Sequence, residues 1–257
     1  MFFMMRMIGR ASFAIFLLAG SLSAMEIKSL SHAVDMAGKQ RMYTQRMLKD
    51  YTMIGMHNTF GDPAKDLKET VGYFEAHLEA LVVFSTLEET RMSLDKVKVL
   101  WQPVKQLLTA APEKAKAAKL QEMLEALLEQ ANEVTVLFAK QTGKSSGEII
   151  NISGRQRMLS QRMASLYMLK VWGIKDPKFQ EKMDSTMKLF KHSLATLKTS
   201  KMNSDEINAL LKKVEGFFMF FEFSKKYIPS LIYKKSNDIL RSMNRVTKLY
   251  VEIEAKK

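Results

Sequence analysis

One ten-residue segment of this chain occurs twice, and that internal repeat constrains the fold more than any other feature. Residues 38–47 and 154–163 both fit G-[KR]-Q-R-M-x-[ST]-Q-R-M, at an offset of 116 from Gly38 to Gly154. Matched residues continue at the same offset in segments 73–81 and 189–197. The sequence therefore predicts two copies of one structural unit, at residues 25–142 and 143–257.

Each copy shows the apolar spacing of four helices. Apolar residues recur at alternating steps of four and three, as in helices packed in a left-handed bundle. In the second helix of each copy these are Leu67, Val71, Phe74, Leu78 and Leu81, and Met183, Met187, Phe190, Leu194 and Leu197. Asp62-Pro63 and Asp176-Pro177 precede these helices, where Asp can cap a helix and Pro suits its first turn. The predicted fold is all-α, with two tandem antiparallel four-helix bundles joined by a short hinge or by a continuous helix.

The composition argues against several kinds of chemistry. The chain has no cysteine, which excludes disulfides and thiolate metal sites, and its four histidines form no HxxxH or HExxH pair. Methionine at helical spacing is typical of a core rather than of a cofactor site. No nucleophile-base set or pair of catalytic carboxylates is evident. We therefore expect no metal, no cofactor and no enzymatic activity.

The N-terminus is typical of an exported protein. Arg6 and Arg10 precede an apolar run at residues 11–22, which ends in small residues. The alternative is an uncleaved membrane anchor, but this run is shorter than the roughly 20 residues of a spanning helix. The sequence predicts a signal peptide at residues 1–24 and a periplasmic protein. Its formal net charge of +13 then favours anionic ligands, acidic partners or membrane surfaces over nucleic acid.

The repeated motif places arginine where an apolar residue is expected. The four-three seam of the first helix passes through Arg41, and the seam of its counterpart passes through Arg157. Segments 36–49 and 152–170 each contain four cations and no acid. A buried guanidinium without a counter-ion costs several kcal/mol. Either an acid from another helix or a bound anion must therefore neutralise these two arginines, and both interpretations remain open.

Other motif residues lie near these arginines on the predicted helix. Glycine in a helix interior costs about 1 kcal/mol relative to alanine, so its recurrence indicates a close approach to the backbone. The second arginines of the motif lie more to the side, where they either contribute to the site or face solvent. The candidate ligand-binding residues are Gly38, Arg41, Gln45 and Arg46, and Gly154, Arg157, Gln161 and Arg162.

These motifs resemble the NarX/PilJ-like N-terminal sensor domain of nitrate/nitrite sensor kinases and of the type IV pilus chemotaxis transducer. The resemblance implies a periplasmic four-helix bundle. In the nitrate-sensing members, the anion lies between the first helices of two subunits, held by the arginine of G-x-x-R-M. That residue corresponds to Arg41 and Arg157 here, and the glycine to Gly38 and Gly154. The Gln-rich motif is closer to the PilJ-like branch, whose ligands the resemblance does not define.

The sequence thus favours an exported ligand-binding or accessory sensor protein that takes a small anion such as nitrate or nitrite. We expect no kinase or methyl-accepting region after the second copy, and therefore expect a membrane receptor or envelope partner to supply any output. The alternative is a structural or interaction protein of the envelope, or of a chemosensory or pilus system, with the arginines in salt bridges. Whether a homodimer forms is open. We favour one site shared by Arg41 and Arg157, because one chain with two copies can reproduce the family's dimeric pair.

Overall fold

The computed structural model describes residues 25–143, 145–223 and 228–256. Its helices are α1 Leu30–Gly55, α2 Pro63–Phe84, α3 Glu88–Thr109, α4 Lys114–Gln141, α5 Ser145–Val171, α6 Phe179–Lys198, α7 Asp205–Phe223 and α8 Pro229–Ala255. The described residues contain no β-strand. Four helices belong to each copy of the repeat, which confirms the predicted all-α fold. The predicted signal peptide lies outside the described residues.

Each repeat is a closed ring of four helices. In the first, α1 and α3 each pack against α2 and α4, and α5 to α8 repeat this arrangement. The predicted apolar seams of α2 and α6 pack into the core. Phe74 stacks on Trp101 with ring centroids 4.3 Å apart, and Phe190 stacks on Phe218 at 4.5 Å. Both phenylalanines are fully buried, so the two positions are equivalent in the core as predicted.

The Asp-Pro pairs begin the second helices in two different ways. Asp62 accepts a hydrogen bond from a backbone amide of the first helical turn, and α2 begins at Pro63 as predicted. The second copy differs, since α6 begins only at Phe179. There Asp176 accepts a hydrogen bond from the backbone N–H of Lys178 in a turn. The cap expected for this copy is therefore replaced by an Asx turn.

The two rings lie side by side and meet through their motif helices. Helix α4 ends at Gln141 and α5 begins at Ser145, with Gly143 in the left-handed region at φ of +61°. The left-handed Gly143 thus ends α4 and rules out one continuous helix from α4 into α5. Helices α1 and α5 run parallel, with Gly38 facing Gly154 near their beginnings and Tyr51 packed edge-on against Trp172 near their ends.

The motif helices are the central helices of the molecule. Helix α1 packs against α2, α4, α5 and α8, and α5 packs against α1, α4, α6 and α8. As a result, most of the motif is buried, including its glutamines, its Thr and Ser residues and the first arginine of each copy. Among the described residues, no helix is long and apolar enough to cross a membrane.

We predict that removing either stacked ring destabilises the fold strongly. Phe74→Ala and Phe190→Ala should each lower the free energy of unfolding by about 3–5 kcal/mol, because each leaves a cavity in a closed core. Val83→Ala is the control, since that side chain is exposed, and it should change stability by less than about 0.5 kcal/mol. Urea unfolding followed by circular dichroism measures all three. A cost below that of the control at either phenylalanine would contradict the equivalence of the two cores.

Candidate functional site

The repeated glycines mark the point where the two motif arginines meet. Arg41 and Arg157 are 0 % and 1 % exposed. A Cβ atom added at Gly38 would lie 3.3 Å from Nη2 of both arginines. At Gly154 it would lie 3.0 Å from Nη2 of Arg157 and 3.4 Å from Nη2 of Arg41. Both guanidinium groups therefore lie at the same helix crossing, and the close approach indicated by the glycines is observed.

The two arginines have matching hydrogen bonds. Each donates to an asparagine on the fourth helix of its own repeat and to a backbone carbonyl on the motif helix of the other repeat. The acceptors are Asn132 Oδ1 (2.8 Å) and the Asn151 carbonyl (3.2 Å) for Arg41, and Asn244 Oδ1 (3.2 Å) and the Asp35 carbonyl (3.3 Å) for Arg157. Because positions 35 and 151 are separated by the repeat offset, the site has approximate two-fold symmetry.

The charges at the site do not follow this symmetry. Nη1 of Arg157 forms an ion pair with Oδ1 of Asp35 at 2.7 Å. The residue equivalent to Asp35 is the neutral Asn151, and within the described ranges no carboxylate forms an ion pair with Arg41. An acid from another helix, Asp35, therefore neutralises Arg157, whereas Arg41 has no acidic partner among the described residues.

The pKa values follow these surroundings. Burial, reinforced by the nearby charges of Arg155 and Arg157, lowers the pKa of Arg41 to about 9. Burial acts to raise the pKa of Asp35, but the charges of Arg157 and Lys39 prevail and lower it to about 2. Asp35 is thus ionised at neutral pH. Arg41 is protonated at neutral pH, and no carboxylate among the described residues neutralises its positive charge.

The first glutamine of the motif anchors each motif helix to its own repeat. Nε2 of Gln40 donates to the carbonyl of Phe74, and Nε2 of Gln156 donates to the carbonyl of Phe190, both at 2.9 Å. These bonds give the buried NH2 group of each side chain an acceptor, which it would otherwise lack in the core. Their role is structural, and it accounts for one polar position of the motif.

The second glutamine joins the two repeats. Oε1 of Gln45 accepts a hydrogen bond from Oγ of Ser165 at 3.1 Å, and Oε1 of Gln161 accepts one from Nζ of Lys49 at 2.9 Å. Lys49 and Ser165 are again equivalent positions in the two copies. Burial lowers the pKa of Lys49 to about 8. The two candidate glutamines thus lie in the interface between the repeats, each about one turn beyond the arginine of its own motif.

The second arginines of the motif form ion pairs. Arg46 Nη2 lies 2.9 Å from Oδ2 of Asp66 on α2, and Arg162 Nη1 lies 2.8 Å from Oε2 of Glu125 on α4. Their side chains are only about one-fifth exposed, so they are not simply solvated. Arg46 and Arg162 thus form ion pairs with Asp66 and Glu125, and neither takes part in the hydrogen bonds of Arg41 and Arg157.

Several residues of this site were absent from the sequence-based candidates. Asp35 lies one residue before the acid-free stretch of the first copy, and comparing the copies at the 116-residue offset would have paired it with Asn151. Asn132 and Asn244 belong to no repeated motif, and only the packing of α4 and α8 identifies them. In the part of the chain that the structure describes, no group of acids and histidines could hold a metal ion.

Comparison with known proteins agrees with the resemblance seen in the motif. The model of the PilJ family, described as the N-terminal region of the type IV pili methyl-accepting chemotaxis transducer, matches residues 24–127 and 138–215. Each matched segment contains one copy of the motif, and together they cover most of the chain. No curated protein and no solved structure matches the chain.

We predict that a methyl group at either motif glycine destabilises the protein. Gly38→Ala and Gly154→Ala place Cβ against guanidinium nitrogens that are buried and hydrogen-bonded, so these groups have little room to move. Gly216→Ala is the matched control, because its Cβ would meet no atom within 4 Å. The control should gain up to about 1 kcal/mol from helix propensity. Thermal unfolding should rank both motif variants below the control, and equal gains in all three would contradict the close approach.

Proposed function

The chain belongs to the PilJ family of type IV pili methyl-accepting chemotaxis transducer N-terminal domains, and from this we propose that it is a chemosensory module that binds one small anion between Arg41 and Arg157. The observation that carries the proposal is the fully buried guanidinium of Arg41, which has no carboxylate partner among the described residues and lies beside a second guanidinium. The proposed role is binding rather than catalysis.

The free energy of the buried charge favours a ligand. Hydrogen bonds to Asn132 and Asn151 satisfy donors of Arg41 but supply no negative charge, so the desolvation cost of several kcal/mol remains. An anion at this place would offset that cost. Nε of Arg41 and Nε of Arg157 are both buried without a hydrogen-bond partner. They are donors that a small oxyanion could use.

The geometry of arginine favours a planar ligand. A guanidinium presents its donors in one plane, which matches the oxygens of nitrate, nitrite or a carboxylate. Since Nη2 of each arginine approaches both glycines, one anion could contact both side chains. We therefore propose one shared site per chain, in which the two repeats supply what two subunits supply in the nitrate-sensing relatives. The glutamines and second arginines would stabilise the surrounding interface.

The proposal includes export and a protein partner. An N-terminus typical of exported proteins and the family assignment both support an extracytoplasmic location. A membrane receptor or another envelope component would then bind differently to the anion-bound and the anion-free protein. In this setting the basic surface of the protein favours acidic partners.

A structural role is the second candidate function. The Arg157–Asp35 ion pair and the Gln45–Ser165 hydrogen bond support this candidate, because they join the two repeats directly. In that case the chain would be an interaction bundle of the envelope or of a chemosensory or pilus system. The two candidates differ in whether anions bind.

We predict that calorimetric titration of the protein with nitrate, nitrite or acetate detects one site per chain. Arg41→Lys and Arg157→Lys keep the charge but lose the planar donors, so each should weaken binding about tenfold or more, nearly as much as alanine. The double variant should be little worse than either single variant, because both arginines serve one ligand. Arg245→Lys is the control, since Arg245 lies in an exposed ion pair with Glu206.

Anion-dependent melting provides an independent measurement. Binding to the folded state alone raises the melting temperature as ligand concentration increases. A stoichiometry of two with additive losses would indicate separate sites. If no anion gives heat or raises the melting temperature, the structural role is the better account.

A further inference from the structure

The two copies differ by one charge at equivalent positions beside the arginine pair. Asp35 and Asn151 are separated by the repeat offset, and the backbone carbonyl of each accepts a hydrogen bond from the arginine of the opposite repeat. Their side chains have nearly the same shape. Only the carboxylate of Asp35 can neutralise a guanidinium, and it lies against Arg157.

The buried charges of Arg41, Arg157 and Asp35 therefore sum to a net charge of +1. Two guanidinium groups share one carboxylate, and the unbalanced charge is on Arg41. Lys39 also pairs with Asp35 at 3.0 Å, but its side chain is partly exposed, so solvent screens it. Arg155, at the position equivalent to Lys39, is likewise only half-buried.

The nearby histidines add no charge at neutral pH. Burial lowers the pKa of His77 to about 4, and burial also lowers the pKa of His32. Tyr43 remains protonated, because burial raises its pKa well above the ordinary value. The single positive charge of the buried group is therefore constant around neutral pH.

The side chain of Asn151 also favours an anion beside Arg41. Oδ1 of Asn151 is buried and has no hydrogen-bond partner. The side-chain amide is therefore not engaged through this atom, and rotation of the amide would present its NH2 group to an anion at Arg41. A carboxylate at position 151 would instead occupy that place itself.

Building on the proposed function, we infer that Asp35 is a built-in counter-ion that makes the site selective for singly charged oxyanions, bound on the side of Arg41 and Asn151. A monoanion such as nitrate matches the one uncompensated charge. A dianion such as sulfate brings a second negative charge that the buried groups cannot balance, and its desolvation is more costly. Asp35 and Asn151 are thus the residues that determine specificity.

Two reciprocal substitutions test this assignment. Asp35→Asn frees the charge on Arg157, so sulfate binding should appear or strengthen by about tenfold or more, as expected for a unit charge at this distance. Asn151→Asp places a carboxylate beside Arg41, so nitrate affinity should fall by about tenfold or more. Asp95→Asn is the matched control, because Asp95 is an exposed acid whose ion pair with Lys98 is on the surface.

The measurement is calorimetric titration with sodium nitrate and sodium sulfate at pH 7 and constant ionic strength, with a melting curve for each variant. Without added anion, Asn151→Asp should melt at a higher temperature than the wild type, and nitrate should no longer raise that temperature. This variant decides the question by itself if Asp35→Asn does not fold.

The outcomes separate this inference from the proposed function. If the wild type binds neither anion, the proposed function fails. If the wild type binds nitrate, the function stands, and the specificity assignment fails in either of two cases. One is that the wild type binds sulfate as tightly as nitrate, and the other is that Asn151→Asp binds nitrate as well as the wild type.

Discussion

The parallel contact between α1 and α5 at Gly38 and Gly154 is the interaction on which the rest of the structure depends. The two helices can approach closely here because neither residue has a Cβ atom, and this space is filled by guanidinium groups. Each motif helix is then surrounded by four others, two of its own ring and two of the opposite repeat. Most polar groups on so deeply buried a helix need a hydrogen-bond partner, since each unsatisfied group costs about 1–3 kcal/mol. The unusual polarity of the motif follows from this requirement.

The motif therefore combines two tasks that are often separate. Gln40 and Gln156 hold each central helix against its own bundle, while Gln45 and Gln161 hold the bundles together. Hydrogen bonds of this kind define the register of helices that apolar packing alone would allow to slide. Arg41 differs from the glutamines, because its hydrogen bonds to neutral acceptors do not balance its charge. This difference separates the part of the motif that builds the interface from the part that is suited to a ligand.

Joining two copies in one chain permits an asymmetry that identical subunits cannot have. In a symmetric dimer every residue at the interface occurs twice, so an acid beside one arginine would also lie beside the other. Here the positions have diverged independently, as Asp35 opposite Asn151 and Lys49 opposite Ser165 show. The first change divides the arginine pair into one neutralised and one uncompensated guanidinium. Through the second change, the first repeat has the buried Lys49 in the interface where the other repeat has Ser165.

The sequence alone determined the repeat, the eight helices and the arginines in the seam, because periodicity and repetition are local properties of the chain. It also indicated a close approach at Gly38 and Gly154, since glycine inside a helix has a known cost. Only the tertiary structure decided which charges are compensated. The partners of the arginines come from other helices, as Asp35 reaches Arg157 across the repeats and Glu125 reaches Arg162. Contacts between residues so distant in the chain depend on how the bundles pack side by side, and no spacing within one helix encodes that arrangement.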